Sequence, residues 1–454
     1  MLNDKDTIVA PATPQGVAAL AVIRLSGNQA IAIAASVFKG KDLNKVDSHT
    51  VHFGTIRNDK EILDEVLLTV FLAPHSYTGE NSVEISCHGS PVVVKDIIKL
   101  LIEKGARLAE PGEFTKRAFL NNKLDLAQAE AVGDLIHSET ALARQIAVNQ
   151  MRGGYSKSLS HMREELIHFA SLIELELDFG EEDVEFAQRE DLTRLTQAIL
   201  DYIHPLIQSF DQGNAIKNGV PTVIAGKPNA GKSTLLNALL NDERAIVSDI
   251  PGTTRDFIED EIFLDGIAFR FIDTAGLRET QDKVEHIGIQ RTRERMDKAA
   301  LILYLFDMAN ESISSVQEQE KEINNLSAQV IKVGNKADIA SYEIQEYAKK
   351  NDFVLIAAST NKNLDTLKKH LLARVLNANN PTGNLVVTNL RHYHSLLQTQ
   401  QALVRVKEGI ETGITGDLIA QDIRQALHYL GELTGAITTD DLLGNIFSKF
   451  CIGK

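Results

Sequence analysis

Two glycines, a lysine and a hydroxyl are spaced for phosphate chemistry in Gly226-Lys227-Pro228-Asn229-Ala230-Gly231-Lys232-Ser233, which reads G-x-x-x-x-G-K-S. In such a loop successive backbone N–H groups face inward at a helix N-terminus, where they have no intrahelical partner and can hold phosphate oxygens. Lys232 is then placed to reach the β- and γ-phosphates, and the Ser233 hydroxyl to ligate Mg²⁺. The loop needs a strand before it and a helix after it. The apolar run at 222–225 and the helix-forming run at 234–240 supply both.

Two more motifs follow in the order a GTPase requires. Asp273-Thr274-Ala275-Gly276 comes after the apolar strand pattern at 269–272. Asp273 is placed to bind Mg²⁺ through water, and the Gly276 N–H to contact the γ-phosphate. Asn335-Lys336-Ala337-Asp338 comes after the strand pattern at 330–333. The Asp338 carboxylate can accept from both N1–H and the N2 amine of guanine, a donor pair that adenine lacks, so this motif selects GTP. Between the first two motifs lies Ser248-Asp249-Ile250-Pro251-Gly252-Thr253-Thr254-Arg255-Asp256. A threonine there can join Mg²⁺ only when a γ-phosphate is present, which makes a switch. Thr254 is the candidate and Thr253 its neighbouring rival. Leu277 stands where Ras-type enzymes carry a water-orienting glutamine. Leucine cannot align water, so the polar group must come from Arg255, Arg278, Glu279, Asp282, Glu285 or an added cation.

The chain around these motifs has 454 residues, enough for several domains, with 43% apolar and 24% charged residues. Two cysteines, Cys87 and Cys451, do not make a disulfide framework and suit a reducing, cytoplasmic setting. The polar N-terminus does not read as a secretory signal, and the apolar run at 299–306 is too short to cross a membrane and reads as a buried strand. A net charge of −15 does not support a broad electrostatic grip on nucleic acid.

Residues 1–118 alternate strand patterns, at 17–25, 50–56, 65–72 and 82–87, with helical patterns at 28–38 and 91–104, the latter stopping at Gly105. This predicts an α+β domain. Its polar loop Tyr77-Thr78-Gly79-Glu80-Asn81 reads first as a turn. Cys87-His88 lacks further ligands at zinc spacing. Residues 119–215 carry apolar positions at helical spacing, interrupted at Gly153-Gly154; the acidic run Glu181-Glu182-Asp183 reads as a solvated surface. Gly213-Asn214 and Asn218-Gly219 read as a linker into the nucleotide domain, residues 216–378. Helical texture returns over 379–454. The expected fold is therefore multidomain α/β and α: an α+β N-terminal domain and a discontinuous helical domain interrupted by an inserted Ras-like P-loop domain.

The terminus Phe450-Cys451-Ile452-Gly453-Lys454, with Leu124-Asp125-Leu126-Ala127-Gln128-Ala129-Glu130-Ala131 and Pro111-Gly112-Glu113-Phe114, resembles the MnmE (TrmE) tRNA-modification GTPases over the full length. The resemblance implies work with a flavin-dependent partner, MnmG (GidA), in a heterotetramer or larger complex. Together they install an aminomethyl or carboxymethylaminomethyl group at C5 of the wobble uridine of certain tRNAs. It implies a homodimer formed through a folate-binding N-terminal domain. The one-carbon source is 5-formyltetrahydrofolate or a related folate, with contacts falling on Arg24, Glu84, Lys123 and Lys454. GTP contacts fall on Asn229, Ala230, Gly231, Lys232, Ser233 and Thr234, on Ser248, Thr253 and Thr254, on Asp273, Thr274, Ala275 and Gly276, on Asn335, Lys336 and Asp338, and on the base loop Ala357-Ala358-Ser359. Where relatives often carry Ser-Ala-Lys in that loop, a backbone N–H makes the useful contact, so the departure is expected to be tolerated.

The gap at Leu277 is filled in this family by K⁺, held by the Asn229 side chain and the carbonyls of Ser248, Ile250 and Thr253; Ser248 replaces a threonine of some relatives. Glu285 matches the water-positioning glutamate. Cys451 could be a nucleophile beside folate, but reads first as a small residue packed at a helix end. Two alternatives stand beside this function: a regulatory GTPase switch in ribosome assembly, and a folate aminomethyltransferase with a regulatory GTPase inserted. A pure switch would not need Arg24, Glu84 and Lys123. The role implied for Glu285 predicts that Glu285→Ala lowers GTP turnover and spares GTP affinity, checked by steady-state hydrolysis beside nucleotide titration. An affinity loss as large as the rate loss would refute it.

Overall fold

The computed structural model describes residues 6–59, 61–178, 188–243, 260–272, 299–323, 328–375 and 385–453. The chain divides into two compact units. One comprises Met1–His137, Ala147–Leu200 and Ser395–Lys454, the other Ser138–Ile146 and Asp201–His394.

In the first unit, alternating apolar and polar residues build a seven-stranded sheet among the described residues. Its strands are β1 (Ile8–Pro11), β2 (Leu20–Ser26), β3 (Phe38–Lys39), β4 (Thr50–Asn58), β5 (Glu61–Phe71), β6 (Ser82–His88) and β7 (Arg107–Leu108), in the order β3-β4-β5-β6-β2-β1-β7. The register pairs Ile23 with Ile85 and Ile85 with Leu68, a buried row on the core face. The helices Ala30–Val37 and Pro91–Glu103 cover that face with Ile33, Ala34, Ile97 and Leu101. One residue along each strand the opposite face appears, because successive side chains alternate. There Arg24 pairs with Glu84, Glu84 with Thr69, and Thr69 with Val51.

The helical part of this unit is set by local chemistry as well as periodicity. Helix Leu126–Ile136 starts at a reciprocal capping box: Gln128 N–H donates to the Asp125 carboxylate at 2.8 Å, and the Gln128 side chain accepts from Asp125 N–H at 2.9 Å. Gly153 and Gly154, both at positive φ, precede helix Ser156–Asp178. Helix Ser156–Asp178 packs against helix Gly416–Thr434. Its buried Leu159, Leu166 and Ile173 recur at the interval that also places Ile419, Ile423, Ala426 and Leu430 inside. Helices from both sides of the middle of the chain thus share one core.

The second unit holds a six-stranded sheet among the described residues, in the order β13-β12-β11-β8-β10-β9. The strands are β8 (Val220–Gly226), β9 (Asp260–Leu264), β10 (Ile267–Phe271), β11 (Leu301–Asp307), β12 (Gln329–Asn335) and β13 (Val354–Leu355). All neighbours run parallel except β9 and β10. A parallel sheet is covered on both faces, and the uninterrupted apolar run of β11 is buried at every position. Helices Lys232–Glu243 and Leu364–Val375 contribute to the core on one side, Ile313–Ile323 and Tyr342–Lys350 to that on the other.

Several expectations change. The strand expected from residue 17 begins at Leu20, and Val17 is exposed. β1 and β7 escape periodicity because they are only four and two residues long. The linker expected at Gly213-Asn214 is helix, Phe210–Asn218, ending at Gly219 with φ 73°. Gly213 is there for proximity: a Cβ on it would lie 2.1 Å from the Val387 carbonyl oxygen. Cys451 is exposed rather than packed at a helix end, since Phe447 and Phe450 fill that cluster and the cysteine contributes its carbonyl to Gly112 N–H at 3.4 Å. The acidic run Glu181-Glu182-Asp183 lies outside the described residues.

Gly213→Ala must push the Val387 backbone away, and is expected to destabilise the second unit by about 1–3 kcal/mol, lowering its thermal unfolding midpoint. Gly444→Ala, in open space within helix Asp440–Phe447, is expected to be neutral or stabilising by up to about 1 kcal/mol. Calorimetry of the two variants checks the opposite signs.

Candidate nucleotide and folate sites

The phosphate loop leaves β8 at Gly226 and enters helix Lys232–Glu243. Gly226 has φ 136°, and a Cβ there would meet the Leu305 carbonyl oxygen at 2.3 Å, so only glycine lets β8 and β11 run this close. Asn229 occupies the left-handed region at φ 61°, which asparagine tolerates better than most residues. Lys232 Nζ donates to the carbonyls of Gly226 and Lys227 at 2.8 and 2.9 Å, and burial pushes its ammonium below the ordinary lysine range. Ser233 is half-buried in the first turn of the helix, and Thr234 is exposed beside it.

The guanine motif is joined to this loop by one side chain. Asn335, buried at the end of β12, donates from Nδ2 to the Ala230 carbonyl at 2.8 Å, while its Oδ1 accepts from Ala358 N–H at 3.1 Å. Both hydrogen-bonding ends are used, so the phosphate loop and the base loop are set against each other. Lys336 adds a second tie, donating to the Asn229 carbonyl at 3.0 Å and to Asp307 at 2.6 Å. Ala337 N–H bonds the Ile356 carbonyl at 3.0 Å, which brings the exposed Asp338 to the same edge as Ala357, Ala358 and the exposed Ser359. The structure thus assembles Asn229, Ala230, Gly231, Lys232, Ser233, Thr234, Asn335, Lys336, Asp338, Ala357, Ala358 and Ser359 at the C-terminal ends of the parallel strands, where ligands bind in such sheets. Ser248, Ile250, Thr253, Thr254, Asp273, Thr274, Ala275, Gly276, Leu277 and Glu285 lie outside the described residues, as does Lys454.

Two acids that periodicity did not single out support the loop. Asp307 ends β11 and is paired in register with Asn335. Burial raises its pKa, but hydrogen bonds from Asn310, Lys336 and the Ala309 N–H outweigh this and hold the carboxyl below the usual range. Glu311 accepts from Lys227 Nζ at 3.1 Å, from Ser315 at 2.9 Å, from Gln319, and from Asp307 N–H at 3.2 Å. The available signal was position: polar residues at or just past the end of an apolar strand adjacent to the phosphate-loop strand.

In the first unit, Glu84 Oε1 accepts from Arg24 Nε at 2.9 Å and lies 2.8 Å from Nη2. Lys123 is exposed and donates to the Pro74 carbonyl at 3.0 Å. The intervening loop is more than a turn. Thr78 is fully buried and bonds Ser26 at 2.6 Å; Glu80 accepts from Ser26 at 2.7 Å and from Arg117 at 3.2 Å; Asn121 donates to the Thr78 carbonyl at 2.7 Å. Arg117 also donates to Glu113 at 3.0 Å, and Glu113 accepts from Arg107 at 2.7 Å. Burial raises the Glu113 pKa, but bonds from Arg107, the Glu110 N–H and Arg117 win and keep it ionised below the usual range. Cys87 is buried, with its thiol pushed up to about 11 chiefly by burial, and His88 pairs with Asp64 at 2.7 Å.

Comparison with known proteins covers the whole chain. Residues 7–123 match the family described as GTP-binding protein TrmE N-terminus, and residues 126–451 match the MnmE helical domain. A tRNA modification GTPase MnmE from Cytophaga hutchinsonii is 55% identical over 100% of this chain and 98% of its own length. Proteins of the same name from Christiangramia forsetii, at 51% over 99% of each chain, and Bacteroides thetaiotaomicron, at 48% over 99% of this chain and 100% of the relative, are similar throughout. Among solved structures, the G domain of the T. maritima FeoB iron transporter aligns at 24% identity and TM-score 0.25, covering 35% of this chain and 99% of that one. The two family matches and the full-length relatives place this chain in the MnmE (TrmE) family.

Proposed function

We propose that this chain is a GTP hydrolase of tRNA modification, acting at the wobble uridine of certain tRNAs with a folate-carried one-carbon unit and a flavin-dependent partner of the MnmG (GidA) kind. The observation that carries the GTPase part is the Asn335 bridge, which holds a phosphate-binding loop and a guanine-selecting motif in one rigid site. Family membership supports the tRNA part, since the full-length relatives are named tRNA modification GTPases. The four-part division at 118, 215 and 378 belongs to the same proposal. It is supported by the common core of helices Ser156–Asp178 and Gly416–Thr434.

Each residue then has a physical task. The loop N–H groups and Lys232 bind the phosphates; a partly desolvated ammonium gains more from an anionic oxygen than from the two carbonyls it now holds. Asp338 selects guanine, and the N–H groups of the base loop at Ala357–Ser359 complete the base contact. Ser233 fits Mg²⁺, being a hydroxyl in the first helical turn, with Thr254 and Asp273 as its proposed companions. Asn229 fits K⁺: it is exposed at left-handed φ and its own carbonyl is held by Lys336, so its side chain is left for a ligand. When bound, the two cations supply fixed positive charge beside the transferring phosphoryl group. Glu285 holds the attacking water in place of the absent glutamine.

The pair Arg24 and Glu84 fits a folate. Among the described residues neither Arg24 Nη1 nor Glu84 Oε2 makes a hydrogen bond, so one donor group and one acceptor of the pair are left for a ligand. A pterin amide edge offers the complementary pattern. Lys123 and Lys454 are its proposed companions. The homodimer is supported by Val51, Phe53 and Leu67, which are 58%, 67% and 49% exposed. They share the sheet face of Arg24 and Glu84, and an exposed apolar patch of this kind marks an interaction surface.

Replacing Na⁺ by K⁺ is expected to raise GTP turnover about tenfold, or about 1.4 kcal/mol of transition-state stabilisation. Equal rates at matched ionic strength would remove the potassium assignment. Mass spectrometry of tRNA nucleosides from cells lacking the protein is expected to show loss of the C5-modified wobble uridines. Unchanged uridines would instead favour a ribosome-assembly switch.

A further inference from the structure

The loop from Pro74 to Asn81 touches two of the cationic candidates of the folate site, Arg24 and Lys123. Lys123 bonds its Pro74 carbonyl, and the Lys123 methylenes pass 3.3–3.4 Å from where a Cβ on Gly79 would stand. At its middle, Tyr77 lies under Arg24, the guanidinium carbon being 5.4 Å from the ring centroid. The same carbon lies 5.7 Å from the ring centroid of Phe114. Both distances are within cation–π range. Phe114 is fixed because it is fully buried. Tyr77 is fixed at its far end, where its hydroxyl bonds Thr115 Oγ1 at 2.9 Å, and Thr115 is itself fully buried.

We propose that Tyr77 is a positioning residue of the folate site, acting through Arg24: its ring, anchored on Thr115, holds the guanidinium flat so that the remaining donor faces the ligand. This rests on the folate reading of Arg24 and Glu84. An arginine side chain has several rotatable bonds, and one carboxylate contact leaves it free to swing about Glu84. Two rings under the guanidinium remove that freedom before the ligand arrives, which is preorganisation. The loop does not depend on Tyr77 for its own shape, because Thr78, Glu80 and Asn121 tie it to Ser26 and Arg117 and through the Thr78 carbonyl. Removing the ring therefore acts on Arg24 more than on the loop.

The test is calorimetric titration of the full-length protein with 5-formyltetrahydrofolate. Y77F keeps the ring but gives up the bond to Thr115 and is expected to bind about threefold more weakly than the wild type, whereas Y77L loses the ring as well and is expected to bind about tenfold more weakly. T115V, which keeps the tyrosine and removes only its anchor, is expected to weaken binding about threefold. The double variant R24Q/Y77L is expected to bind no more weakly than R24Q, because Tyr77 acts only through Arg24. Wild-type binding of folate with undiminished affinity in Y77L, or losses that add in the double variant, would overturn the role of Tyr77 alone. A wild-type protein that does not bind the folate would overturn the folate reading and this proposal with it.

Discussion

The candidate nucleotide site depends on one side-chain amide. Asn335 offers a donor and an acceptor at opposite ends of a planar group, and both are used, on the Ala230 carbonyl and the Ala358 N–H. Such a bond contributes modestly to stability when made, but a buried amide left without partners costs more than the bond is worth. The residue around it is therefore constrained from several sides. Gly231 must lack a side chain, since a Cβ there would sit 2.2 Å from Asn335 Nδ2. β12 must end where it does, beside β11, so that Asp307 can receive Lys336 and let that lysine reach the Asn229 carbonyl. The loop at Asn229–Ser233 and the loop at Ala357–Ser359 are thereby tied into one object.

A comparable economy appears in the N-terminal unit, built from charge rather than an amide. Glu113 and Arg117 are almost fully buried, one turn apart on the same helix, and are joined outward to Arg107 and Glu80. Breaking one member would strand another charge in a poorly solvated place, so the network specifies geometry more than it adds stability. Its geometric consequence is to hold helix Glu113–Leu120 and the Pro74-to-Asn81 loop together beside Arg24. Both candidate sites thus share one device: a flexible cation is restrained by its neighbours, Lys232 by the Gly226 and Lys227 carbonyls and Arg24 by Glu84 and the rings of Tyr77 and Phe114.

The two halves reach that device through different sheet physics. The parallel sheet of the second unit gathers loops at the C-terminal ends of its strands, so residues from three separate motifs converge without special sequence signals. The largely antiparallel sheet of the first unit instead separates its two faces. One is consumed by the core, and the other carries Arg24, Glu84 and the exposed Val51, Phe53 and Leu67 in adjoining rows. Cross-strand register, with its strict period of two, decides which residues become neighbours there.

By itself the sequence determined the strand, loop and helix around Gly226–Ser233 and the strand that ends at Asn335, because motif spacing and the flanking apolar runs are local. It also determined most helices, whose period and caps are local, and the buried strand at β11. Two kinds of information were decided only in three dimensions. Positions such as Gly213 read as a linker because glycine breaks helices; only the approach of the Val387 carbonyl shows that the glycine lies within one. The loop at Tyr77 read as a turn because its residue types favour turns, and nothing local reveals that Thr78 is buried or that Arg24 rests on Tyr77. Those contacts join residues more than fifty positions apart. Such pairing comes from strand register and helix docking, which a linear pattern of residue types does not encode.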